Sequence, residues 1–126
     1  MNIKQVIIMR LQFPDGKGGT FKPRTGKLIA QGSHASMKVI LDTPQPYPAP
    51  MQEWLTTRFT KVVVRVDTEA ELLAVYETAK AAGLPCALIQ DSGATEFHGV
   101  PTYTAVAVGP DVSEKIDPIT GQLKLL

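Results

Sequence analysis

The sequence predicts an α/β fold in one domain. Two features carry this: β-branched apolar runs alternate with stretches whose apolar residues recur at helical spacing, and several of those runs are apolar without alternation, as in strands covered on both faces. The 126 residues, 44% of them hydrophobic and 20% charged, leave room for a single core and exclude disordered and collagen-like classes. Residues 3 to 9 (IKQVIIM) form the first predicted strand. PDGKGGTFKPRTG, 14 to 26, then reads as a flexible basic loop holding four glycines and two prolines. From Thr25, a candidate N-cap, TGKLIAQGSHASMKVILD has helical period, with Leu28, Ala35 and Val39 on one face. Gly32 and its small neighbours mark a close approach, either of the helix to the sheet or of a ligand to the helix.

TPQPYPAP, 43 to 50, has four prolines that stop the helix and suit an extended connector, or alternatively a docking motif. MQEWLTTRF follows as a short helix and KVVVRV, 61 to 66, as the second strand. Asp67 or Thr68 caps the next helix, which carries Glu69 and Glu71 in its first turn, Lys80 in its last and Gly83 as its stop. LPCALIQ is a third, buried strand, 91 to 101 a polar loop, TYTAVAVGP a fourth strand, and DVSEKIDPITGQL a final short helix and turn. The early crossovers are expected to join parallel strands.

Charge is unevenly distributed. Residues 1 to 41 hold seven lysines and arginines against Asp15 alone, a net +6, so the rest carries −5 to give the overall +1. A basic face of this kind attracts anionic ligands such as nucleic acid, although solvated surface lysines give the same count. The apolar run after the N-terminus is too short for a signal peptide, and no segment reaches the roughly 18 apolar residues of a membrane-spanning helix, so a cytoplasmic protein with no membrane partner is expected. The single cysteine, Cys86, excludes an internal disulfide and reads as core.

Ligands of open α/β sheets collect outside the carboxyl ends of parallel strands, which singles out 14 to 36 and 91 to 102. The first supplies Lys27, Gln31, Ser33 and His34; the second supplies Asp91, Ser92, Thr95, Glu96, His98 and Thr102. Neither phosphate-binding glycine fingerprint is present, and His34 and His98 lack the spacing of a zinc site. A Ser-His-Asp triad from Ser33 or Ser92, either histidine and Asp91 lacks a nucleophile-elbow motif, and His34 reads equally as a packed histidine. Lys27 and Asp91 are the stronger pair, because a lysine in a helical first turn faces the positive dipole end and calls for an anionic partner, unless it simply extends into water.

The strings GKLIAQGSHASMKVIL (26 to 41), FTKVVVRVDTEAELLAVYETAKAAGLPCALIQDSGATEFHGVPTYTAVAVGP (59 to 110) and EKIDPITGQLKLL (114 to 126) closely resemble the archaeal and eukaryotic, or second, type of peptidyl-tRNA hydrolase. The resemblance spans most of the chain and implies a three-layer α/β/α domain over residues 1–126 around a four-stranded mixed sheet, which agrees with the four strands counted above. It also implies metal-independent, cofactor-free hydrolysis of the ester between peptide and tRNA, and a possible homodimer. The family's catalytic residues fall on Lys27, Asp91 and Thr95. Gln31, Ser33, His34 and Thr102 then border the substrate, and Lys17, Lys22 and Arg24 would meet tRNA phosphates. The 14 to 25 and 43 to 50 segments are longer than the family's usual links. A non-catalytic RNA-binding or protein-interaction module on the same fold is the alternative; it has no need of Lys27, Asp91 and Thr95 together.

Overall fold

Among the described residues, seven strands and four helices follow in the order β1 (Ile3–Arg10), β2 (Phe13–Pro14), β3 (Thr20–Phe21), α1 (Thr25–Asp42), α2 (Ala49–Thr56), β4 (Lys61–Val66), α3 (Glu69–Ala81), β5 (Cys86–Asp91), β6 (Thr102–Val112), α4 (Ser113–Thr120) and β7 (Lys124–Leu125). These come from a computed structural model, which describes residues 2–93 and 97–126. The main sheet has the order β5-β6-β1-β4-β7. β1 and β4 are parallel, whereas β6 is antiparallel to both β1 and β5, and β7 is antiparallel to β4. β1, β4 and β5 therefore run the same way, and their carboxyl ends share one edge of the sheet.

The sheet is mixed, as expected, but it has five strands rather than four. The fifth, β7, is two residues at the C-terminus that add to the outer edge of β4, pairing Val64 with Leu125 and Arg65 with Lys124. So short a strand has no periodicity of its own, and only the free edge of β4 recruits it.

β1 is apolar throughout because both of its faces are covered. Val6 and Ile8 join Val64, Val66, Leu72, Val75, Ala79, Val106, Val108 and Ile116 in a core beneath α3 and α4. Ile7 and Met9 join Leu28, Ala35, Val39, Met51, Ala87, Ile89, Ala105 and Ala107 beneath α1 and α2. Small residues predominate where α1 crosses. A Cβ on Gly32 would stand 3.3 Å from Met9 Sδ and 3.5 Å from Ile7 Cγ2. The small-residue stripe therefore serves the seating of α1 on β1.

Three local expectations are revised. Thr25 is the first helical residue rather than the cap: Arg24 occupies the cap position with extended backbone and no side-chain cap bond. The burial of Pro23 and Leu28 holds this first turn, a tertiary contribution outside any capping rule. The basic loop contains the β2–β3 hairpin, in which Asp15 Oδ1 accepts from the Lys17 and Gly19 N–H groups. Phe13 and Phe21, hidden among its polar residues, stack on Phe97 with ring centroids 4.7 and 6.0 Å away. α2 begins at Ala49, with Pro50 in its first turn, where a proline's missing N–H costs nothing. Thr68 caps α3 in a reciprocal capping box with Glu71. Cys86 is half-buried and packs against the α3-side core, where burial raises its thiol pKa.

Candidate active site

Lys27 extends from the first turn of α1 and Asp91 closes β5, so the fold brings two positions 64 residues apart to one end of the sheet. Lys27 Nζ lies 2.7 Å from Asp91 Oδ1, with the two side chains 15% and 11% exposed. Gln31, one turn further along α1, donates from Nε2 to the same oxygen at 3.3 Å. The Gly93 N–H donates to Asp91 Oδ2 at 2.8 Å. Gly93 has φ of +85°, and a Cβ there would run into the backbone of Val100, so the turn that aims this N–H requires glycine.

Both oxygens of the carboxylate thus accept hydrogen bonds in a mostly buried site. Burial is the largest single influence on Asp91 and raises its pKa. The hydrogen bonds from Lys27 and Gly93, with the charges of Lys27 and His34, outweigh it and hold the carboxyl below its usual range. The group is an anion at neutral pH, held beside an ammonium that also lies 5.5 Å from the centre of the Phe97 ring.

The other expected site residues divide. His34 follows Lys27 and Gln31 at i+7 on α1 and is exposed, close enough for its charge to act on Asp91. Thr102 opens β6 opposite Asp91 in the register, and its hydroxyl donates to the Val100 carbonyl at 2.7 Å. Thr102 and Lys17 line a cavity of about 550 Å³ with Phe13, Phe97 and His98. Ser33 is not brought to Asp91. Its hydroxyl donates to the Ile29 carbonyl, and it lines a groove of about 790 Å³ shared with Lys22, Ile29, Met37 and Phe59. Helical geometry explains this, since two residues beyond Gln31 is about 200° around the axis. Arg24 is exposed at the start of α1. Thr95, like Glu96, lies outside the described residues.

The basic face is smaller than the charge count suggests. Lys4 pairs with Asp117 and Lys38 with Asp42. Arg10 is buried at the end of β1, donating to the Gln12 and Tyr103 carbonyls with its guanidinium 4.2 Å from the Phe13 ring centre. Lys17, Lys22 and Arg24 remain exposed around the hairpin and the start of α1. Arg10 and Phe97, which shape this edge of the sheet, were not expected as site residues. An arginine ending an otherwise apolar strand was the available signal.

Among the described residues, no three His, Cys, Asp or Glu side chains gather into a potential metal site. No helix among them is long and apolar enough to cross a membrane. An ammonium, a carboxylate and an amide brought together in this way can orient a water molecule and offset negative charge on an acyl oxygen.

Residues 3–126 match the family described as Peptidyl-tRNA hydrolase PTH2. The chain is 44% identical over 124 residues to the peptidyl-tRNA hydrolase of Methanocaldococcus jannaschii, covering 98% of this chain and 100% of that one. It is 41% identical over 123 residues to those of Methanopyrus kandleri and Staphylothermus marinus, covering 98% of this chain and 97% and 94% of the relatives.

Proposed function

This chain belongs to the peptidyl-tRNA hydrolase PTH2 family, and from that premise we propose how its own residues hydrolyse the ester joining a peptide to the 3′-terminal ribose of tRNA. Water adds to the ester carbonyl carbon, the bond from that carbon to the ribose oxygen breaks, and the ribose oxygen leaves with a proton as a hydroxyl. Asp91 orients the attacking water as a hydrogen-bond acceptor. Its depressed pKa makes it a weak proton acceptor, so Lys27⁺ carries the larger share by offsetting the charge that develops on the carbonyl oxygen. Thr95 is assigned, by the family resemblance, to position water or substrate. The observation that carries this reading is the 2.7 Å pairing of Lys27 with Asp91 at the carboxyl edge of the sheet.

Substrate approaches across that edge. Gln31 and His34 flank Asp91, Thr102 and Lys17 border the cavity beside Phe97, and Lys22 and Arg24 meet phosphates of the tRNA, while Ser33 faces the α1 groove away from this path. The reaction takes place in the cytoplasm without a metal ion. In support, the carboxylate oxygens already accept from Lys27, Gln31 and Gly93. Residues 1–126 act as one domain, supported by the single sheet shared by both cores. A second copy of the chain covers the apolar face formed by Ile29, Met37 and Leu41 of α1 with Phe59, Val63 and Leu126, all of them exposed.

Incubation with peptidyl-tRNA in the presence of EDTA tests the reading. Release of free tRNA is expected from the wild type, with large losses in Lys27→Ala, Asp91→Asn and Thr95→Ala. Folded variants that keep wild-type kcat/KM would overturn the assignment, and binding without release would favour the non-catalytic module.

A further inference from the structure

We infer that Thr104 is a positioning residue, which acts through Gln31 to hold Asp91 in its working form; this rests on the reading of Asp91 given above. Thr104 is 2% exposed, and its hydroxyl donates to Gln31 Oε1 at 2.5 Å. The direction of the bond is fixed by chemistry. The Asp91 carboxylate is an anion and only accepts, so the end of the Gln31 amide facing it must be the NH₂ group. The carbonyl end then faces Thr104, whose hydroxyl must donate. An amide rotated by half a turn would present its oxygen to the carboxylate, a repulsive contact, and the Thr104 hydroxyl holds it in the productive orientation.

The backbone of β6 is irregular at the point that makes this contact possible. Along β6, Val106 and Val108 face the α3 side of the sheet and Ala105 and Ala107 face α1. Simple alternation would place Thr104 on the α3 side, away from α1. The pairing with β5 instead slips here: Ile89 stands opposite Ala105, but Gln90 stands opposite Tyr103. Thr104 is the extra residue, a β-bulge, and its side chain meets α1 on the same face as Ala105. Tyr103 returns to the α3-side core. Bulges that re-aim one side chain beside a functional site are a recurrent use of this irregularity. The slip lies one residue from Asp91, so the same distortion places the carboxylate and the hydroxyl that governs its neighbour.

Thr104→Val keeps the shape and removes the donor, and Thr104→Ser keeps the donor. In Thr104→Val, kcat/KM on peptidyl-tRNA is expected to fall about tenfold, the usual scale for loss of an outer hydrogen-bond partner in a site. The acid limb of its pH profile should move upward by roughly half a unit, because a carboxylate that loses a donor becomes easier to protonate. Thr104→Ser should restore both. Adding Thr104→Val to Gln31→Ala should change neither any further. In ¹⁵N NMR, the Gln31 side-chain amide, a single pair of signals in the wild type, should shift or broaden in the valine variant. An unmoved acid limb, or an equal loss with and without the Gln31 amide, overturns the inference, and the NMR readout decides it if activity is too low to profile. Retained activity in Asp91→Asn would instead remove the underlying reading of the site.

Discussion

At the scale of single residues, the pairing of Lys27 with Asp91 makes predictions for both activity and stability. Removing the ammonium in Lys27→Ala should lower kcat by about 10²- to 10³-fold, the scale of losing one preorganised donor to a developing oxyanion, with a smaller effect on KM. The Asp91 carboxyl lies below its unfolded value near 3.9. The stability it contributes is present above that unfolded value and is lost as pH falls through the folded one. Urea denaturation between pH 5 and pH 2 should therefore show a shallower acid loss in Asp91→Asn than in the wild type, and an equal slope would mean that the carboxyl is not held by its partners. Lys27, Gln31 and Asp91 could be named from the sequence, with family motifs behind all three. Thr104 could not, because a threonine in an apolar strand carries no sign that a register slip turns it toward a helix.

At the scale of elements, the helices differ in what holds them. α3 is set by local chemistry: Thr68 and Glu71 satisfy each other's backbone donors, with two acids in the first turn. Thr68→Ala should cost about 1 kcal/mol in chemical denaturation with little effect on catalysis. α1 has no side-chain cap and is set by its contact with β1. Gly32→Leu would drive a large side chain into Met9 and Ile7, where a Cβ already meets contacts of 3.3 and 3.5 Å. It should destabilise by about 1–3 kcal/mol and, because α1 carries Lys27 and Gln31, lower kcat/KM as well. Unchanged activity in a folded Gly32→Leu protein would show that the seating of α1 does not position the site. α3 was therefore legible in the sequence to within a residue. The span of α1 was legible too, though not its cap, and the β2–β3 hairpin was not, since Phe13 and Phe21 gain their structural weight only by meeting Phe97.

At the scale of the whole molecule, charge and apolar surface meet at Lys22, which lines the groove of Ile29, Met37 and Phe59. With Lys17, Lys22 and Arg24 as the phosphate contacts, log Kd for tRNA against log salt should have a slope of magnitude about 2 to 3, and each alanine substitution should reduce it by about 1. A flat dependence would leave the basic segment with no part in binding. Sedimentation should report a dimer that Ile29→Lys with Met37→Lys converts to a monomer, and an unchanged sedimentation coefficient would leave that face to another role. The sequence by itself determined the α/β class, the order of the principal strands and helices, the capping of α3 and the residue types available at the carboxyl edge. Each of these is written in local periodicity or in nearest-neighbour chemistry, which a chain carries without folding. Only the tertiary structure decided that β7 completes the sheet, that Lys4 and Arg10 are engaged within the protein, and that a slipped register aims Thr104 at Gln31. All three depend on pairings between distant segments, whose geometry is fixed by packing and by backbone hydrogen bonds that no single stretch of sequence contains.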